Sequence, residues 1–225
     1  MHLDRIDTGE EIGQKRTFRW ALDWPGWARA GKTPDLALEA LVAYAPRYAT
    51  VAREAGLDFP AAPGAVTAHD IYVVESVPGG SGTDFGVPSA TTTADRRPVD
   101  AAEAERLAAL VAAAWTVFDR VAAGAPAELR KGPRGGGRDT AKVVAHVIDA
   151  DHAYAREVGV RLPSPSPADR AAVEAERRAM LEVLGRPSDG SPLADRKWTA
   201  RYAARRIAWH ALDHAWEIED RSEPG

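Results

Sequence analysis

The sequence of 225 residues predicts an α+β protein, with a small N-terminal β-hairpin/helix module followed by a four-helix bundle. Three observations carry this expectation. Phe18, Trp20 and Leu22 alternate with Arg19, Ala21 and Asp23, which is the period of a half-buried strand. Beyond Pro98, four segments with helical texture follow one another without a convincing strand between them. The joints "GAPAELRKGPRGGGR", "GVRLPSPSP" and "GRPSDGSPLAD" are dense in residues that stop helices.

The first module is expected over residues 15–97. Its leading strand breaks at Pro25-Gly26, and Trp27 to Ala30 returns as the second arm of a hairpin. Thr33 is a natural N-cap, Pro34 suits the first helical position and Asp35 complements the helix dipole, so a helix should start there. Leu36 and Leu41, with Tyr44 or Ala40, give it an apolar face, and Pro46 predicts a kink or a restart. "DIYVVESV" reads as a third strand. The glycine-rich stretch from Pro78 to Pro98 is too long for a plain connector and reads as a linker or lid.

The second module is expected over residues 98–221. Its helices run roughly from Asp100 to Gly124, Asp139 to Val158, Ser166 to Gly185 and Arg196 to Arg221.

Composition narrows the chemistry. The chain is 45% apolar and 28% charged, as globular proteins are, and it is long enough to bury a real core. A formal charge of -4 gives no bulk attraction for nucleic acid. Absence of cysteine excludes disulfides, thiolate zinc sites and a cysteine nucleophile, so any metal must be held by nitrogen and oxygen. The polar start lacks a secretory apolar core and no run approaches a membrane span, so a cytoplasmic protein without membrane attachment is expected.

The residues that carry chemistry lie in the last helix, in "IAWHALDHAWEIED". Each helical residue turns about 100 degrees, which places His214 and Glu217 within about 40 degrees of His210 and Asp213 within about 60. Ile207 and Ile218 flank that line on one side, and Tyr202, Trp209 and Trp216 on the other. The polar line therefore lies inside the apolar arc, where unpaired imidazoles and carboxylates are costly and need partners. Two histidines at i and i+4 can share one divalent ion, leaving a third ligand to a neighbouring helix. His146 supplies it, standing among Val143, Val147, Ala150 and Ala153, whereas His152 is turned about 120 degrees away. Asp149, Asp213 or Glu217 would then accept the second ring N–H of a ligand. Lys131, Arg134 and Arg138 precede the second bundle helix and form either a solvated loop or an anion-holding one for a cofactor carboxylate.

At these residues, "DTAKVVAHVIDADHAY" followed by "YAARRIAWHALDHAWEIEDR" resembles the DinB superfamily of four-helix metalloproteins, over roughly Pro98 to Arg221. That resemblance implies His146, His210 and His214 as ligands of a divalent metal, typically zinc or nickel. It further implies a metal-dependent transferase that works with a low-molecular-weight thiol such as mycothiol; in such an enzyme Asp213 or Glu217 would be the catalytic groups, orienting ligands or moving protons. Over Lys15 to Gly56, Trp24-Pro25-Gly26, Gly31-Lys32-Thr33 and Ala37-Leu38 are similar to a HicB-like antitoxin segment. No DNA-binding element accompanies it, so an interaction or lid module is expected there.

Two other readings stay open from sequence: metal-assisted hydrolysis, with bound water as nucleophile, and a non-enzymatic binding or stress-response protein that engages a partner through the N-terminal module. The expected ligand is a small molecule, and a homodimer is compatible with the sequence.

Overall fold

The computed structural model describes residues 5–131 and 139–222, apart from residues 61 and 63. It is an α+β protein in which a four-stranded sheet and two helices precede four long helices.

The hairpin forms where the sequence places it. Strands β2 (Thr17–Ala21) and β3 (Ala28–Gly31) pair antiparallel across the Pro25-Gly26 turn. Gly26 has φ of 92°, and a side chain there would meet Leu212 of the last helix, so glycine serves both the turn and the close approach. Helix α1 (Pro34–Ala43) is capped by the Thr33 side chain, which accepts from the Leu36 N–H. Pro46 marks a restart: α1 ends at Tyr44 and α2 (Ala45–Glu54) begins at once. The buried face of α1 is Ala37 and Leu41, while Leu36 is exposed, one residue away from the predicted face.

Two strands complete the sheet in the order β3-β2-β1-β4. Strand β4 (Ile71–Pro78) was expected, but β1 (Ile6–Ile12), read only as part of a polar start, is one of the sheet's two inner strands, parallel to β4 and antiparallel to β2. Its burial explains the second difference. With β1 on one side and the rest of the fold around it, β2 is buried at every position, where alternation predicts a half-exposed strand. Gly9 of β1 is required by the Trp20 ring, which lies 2.6 Å from where a Cβ would stand.

The segment after β4 is pinned to the body of the protein. It contains a short helix α3 (Ser81–Phe85), and the fully buried Glu11 of β1 accepts hydrogen bonds from the Thr83 hydroxyl and from the backbone N–H groups of Ser89 (3.3 Å) and Ala90 (2.8 Å). Further along, Asp95 forms a buried ion pair with Arg205 at 2.8 Å. Three hydrogen bonds to Glu11 and the ion pair to Arg205 hold it, so it is neither a free linker nor a loose lid.

The long helices are α4 (Ala101–Gly124), α5 (Thr140–Glu157), α6 (Arg170–Leu184) and α7 (Ala200–Ser222). Helices α4 and α5 each pack against both α6 and α7, so the four close into a ring. Asp100 and Asp169 cap α4 and α6 through their carboxylates. Helix α4 is long and apolar enough to cross a membrane by length and composition, contrary to the sequence expectation; Leu107, Leu110, Val111, Ala114 and Phe118 on it are buried in the core. One apolar core runs through both parts, joining Trp27, Leu41 and Tyr48 to Leu110, Ile207 and Leu212. The 15–97 and 98–221 segments therefore share their interior.

Candidate metal centre

Helix α7 is buried along most of its length because it packs on α4, on α5 and on the N-terminal sheet. That position explains the tryptophans beside the histidine line. Trp209 meets Phe18 of β2 edge-on at 6.0 Å between ring centroids, and Trp216 meets Tyr44 at 5.0 Å. They line the flank that carries the N-terminal module, and the opposite flank is left to α5.

On that side the structure brings the three predicted histidines together. Nε2 of His210 lies 3.3 Å from Nε2 of His146, and one ligand nitrogen from each of His146, His210 and His214 falls within 4.8 Å of the others. The rings stand 4.7 Å, 4.9 Å and 5.1 Å apart between centroids. His210 and His214 are 6% and 8% exposed, whereas His146 is half-buried. The reason lies in α5, whose buried line is Val143, Val147, Ile148, Asp151 and Ala155. Ala153, expected inside, is exposed, so His146 stands at the rim of the apolar arc and gives the cluster its accessible side.

The carboxylates sort themselves by flank. Nδ1 of His214 lies 2.8 Å from Oε2 of Glu217, and the other Glu217 oxygen accepts from Arg221 at 2.9 Å. An ionised carboxylate only accepts, so the hydrogen is on His214 Nδ1 and the lone pair on Nε2. The hydrogen bond from His214, reinforced by Arg221, holds the Glu217 carboxyl below the usual carboxylate range. Asp213 turns the other way and pairs with Arg29 of β3 at 2.9 Å, under the Tyr44 and Trp216 rings that Arg29 stacks on. Asp149 is exposed. Of the three acids weighed as ring N–H acceptors, Glu217 is the one in contact with a cluster histidine.

His152 faces α6, as its helical angle predicts, and its Nδ1 lies 2.6 Å from Glu176. Lys131 is exposed and follows Arg130, whose backbone N–H donates to the Arg221 carbonyl at 3.0 Å, so the basic stretch starts from the end of α7 one turn past Glu217. Arg134 and Arg138 lie outside the described residues.

Two residues of the surroundings were missed from sequence. The Tyr154 ring stands edge-on to His210 at 5.6 Å between centroids, and Arg206 lies over both Tyr154 and Trp209. The signal for Arg206 was present: four residues before His210, it stands about 40 degrees from it by the helical period.

The donor set fits a metal. Two nitrogens each about 2.0 Å from one tetrahedral ion stand roughly 3.3 Å apart, the separation found between His146 and His210. The third nitrogen, from His214, lies within 4.8 Å of both. An imidazole binds a metal through a free ring nitrogen, and the other ring nitrogen of His214 is engaged by a carboxylate, as in ligand histidines commonly.

No family model, curated protein or solved structure matches the chain.

Proposed function

We propose that this protein is a metal-dependent enzyme of the DinB type, a transferase acting with a low-molecular-weight thiol, in which His146, His210 and His214 hold zinc or nickel. The observation that carries this reading is the convergence of three imidazoles from two helices, with one Nε2–Nε2 separation of 3.3 Å. A divalent ion held there supplies Lewis acidity, lowering the pKa of a thiol or water bound beside the histidines.

The chain's own groups do the rest. Three neutral ligands leave the full positive charge of a divalent ion in place, which favours an anionic sulfur. Glu217 fixes the tautomer of His214, and its lowered pKa keeps it ionised near neutral pH, so it acts as a proton acceptor and not as an acid. Arg221 holds that carboxylate from behind. Tyr154 and Trp198, whose rings stand 5.0 Å apart, form an aromatic wall beyond His210. The cluster's accessible rim is at His146, and Lys131, which is exposed, would be a partner for a cofactor carboxylate. The chain has no cysteine, so the reacting sulfur must come from the cofactor. The N-terminal module, HicB-like in part, serves as a packing scaffold for α7.

Turnover tests this reading. Zinc- or nickel-loaded protein is incubated with a model electrophile with and without mycothiol. Thiol-dependent conjugation that is lost in His210→Ala/His214→Ala supports the transferase. Thiol-independent hydrolysis with the same dependence on the histidines transfers the site to the hydrolytic reading, and no turnover with either leaves a binding protein.

A further inference from the structure

Four arginines are buried among the described residues: Arg19, Arg177, Arg205 and Arg206. Three of them have their charge matched within the protein. Arg19 pairs with Glu10 at 2.6 Å, Arg177 with Asp151 and Asp119 at 3.1 Å, and Arg205 with Asp95 at 2.8 Å. Among the described residues, Arg206, 9% exposed, has no carboxylate within ion-pair distance. Its one hydrogen bond to backbone is a long one, 3.4 Å to the Pro88 carbonyl, and its guanidinium otherwise lies over the Trp209 and Tyr154 rings at 4.8 Å and 5.5 Å from their centroids. Aromatic faces, a single carbonyl and the Tyr154 side chain, to which Arg206 also hydrogen-bonds, compensate a buried cation only in part, and a buried charge normally requires an opposite one.

The position of this cation gives it a use. Arg206 sits one turn before His210 on the same face of α7, and both touch Tyr154 of α5: His210 by an edge contact at 5.6 Å, Arg206 by its stacked guanidinium. Tyr154 thus links a buried unmatched cation to the histidine cluster, and Tyr154 itself is only half-buried. A guanidinium flanked by aromatic rings recognises planar oxyanions, of which the carboxylate is the matching fork.

We infer that Arg206 is the anion-recognition residue of this site, binding the carboxylate of a small ligand whose reacting end faces His146, His210 and His214. The inference deepens the proposed function by naming the substrate class, an organic carboxylate, and rests on that reading for the reacting end alone. The Pro88 carbonyl of the pinned segment covers one side of Arg206, and excluding water there strengthens a charge pair that forms only when the ligand is bound.

Two measurements on the full chain decide it. Calorimetric titration in a carboxylate-free buffer compares succinate with its neutral analogue succinamide. Zinc-loaded wild-type protein is expected to bind succinate at least tenfold more tightly. Arg206→Met abolishes that preference, Arg206→Lys keeps part of it, and His210→Ala/His214→Ala retains it. A preference that survives Arg206→Met but is lost in the double histidine variant means that the carboxylate sits on the metal and overturns the inference, as does equal binding of both probes by wild type. Wild-type protein that takes up no metal yet keeps a preference dependent on Arg206 removes the proposed function and leaves the inference standing. Thermal unfolding gives an independent readout. An unmatched arginine reserved for a ligand makes Arg206→Met as stable as wild type or more so, whereas Arg205→Met, which strands Asp95, falls by several degrees. An equal fall in Arg206→Met, or its failure to fold, means a structural role and contradicts the inference.

Discussion

Nδ1 of His214 and Oε2 of Glu217 lie 2.8 Å apart, one turn from each other on α7, and this contact decides which nitrogen of His214 faces the cluster. The ring N–H is committed to the carboxylate, so Nε2 carries the lone pair. A residue that fixes a ligand's tautomer without touching the ion acts through affinity. Glu217→Gln is therefore expected to weaken zinc binding by about 10- to 100-fold, measured by competition with a chromophoric chelator, while the far-ultraviolet circular dichroism spectrum stays unchanged. Unaltered zinc affinity would remove Glu217 from the site.

Asp213 lies between His210 and His214 in sequence but faces the sheet, where it pairs with Arg29. Asp213→Asn is expected to lower unfolding stability by roughly 0.5–1 kcal/mol, the range of a partly exposed pair, and to leave zinc affinity at the wild-type value. The contrast with Glu217→Gln separates the two acids. Equal loss of zinc affinity in both would mean that Asp213 also serves the cluster.

Glu11 ties β1 to the segment after β4 through three accepted hydrogen bonds, two of them from backbone. Replacing it with alanine leaves those buried donors without an acceptor. The expected cost is about 3 kcal/mol, read by urea denaturation, together with faster proteolysis between residues 79 and 98. An unchanged midpoint and cleavage rate would mean that the segment is held by Asp95 and Arg205 alone.

Asp151 is buried between α5 and α6, and burial pushes its carboxyl up from 3.8 to about 6 despite the neighbouring Arg177. The folded protein therefore binds more protons than the unfolded chain between those two values, so stability falls as pH rises through that window. At about 1.4 kcal/mol per pH unit, the loss amounts to about 3 kcal/mol. Asp151→Asn cannot titrate, and the stability of wild type relative to it should fall by about 2 kcal/mol of that total between pH 4 and pH 6.5 in denaturation curves. A constant difference across this range would mean that Asp151 is ionised throughout.

Much of the fold was legible where local chemistry and global packing agree. The Thr33-Pro34 start, the Pro46 restart and the four long helices follow from caps and breakers, which act over a few residues. Strand β1 was not legible because "IDTGEEI" is acidic, and its Glu10 and Glu11 are buried only because Arg19, Thr83 and the Ser89–Ala90 backbone meet them from elsewhere in the chain. The histidines were found because helical angles fix relative direction, and His146 could be matched to α7 from its own helix. The separation of Asp213 from Glu217 was hidden, since the 40 degrees or so between them becomes a difference in function only once the sheet covers one flank. Arg206 lay on the same line and was overlooked because an arginine alone does not reveal that it lacks a carboxylate.

The most direct measurement is the metal content of untagged protein, by elemental analysis after gel filtration, beside the His210→Ala/His214→Ala variant. A shared site for His146, His210 and His214 predicts close to one equivalent of zinc or nickel in wild type and a loss of most of it in the variant. Wild-type content far below one equivalent, or content that the double substitution leaves unchanged, would contradict the metal centre.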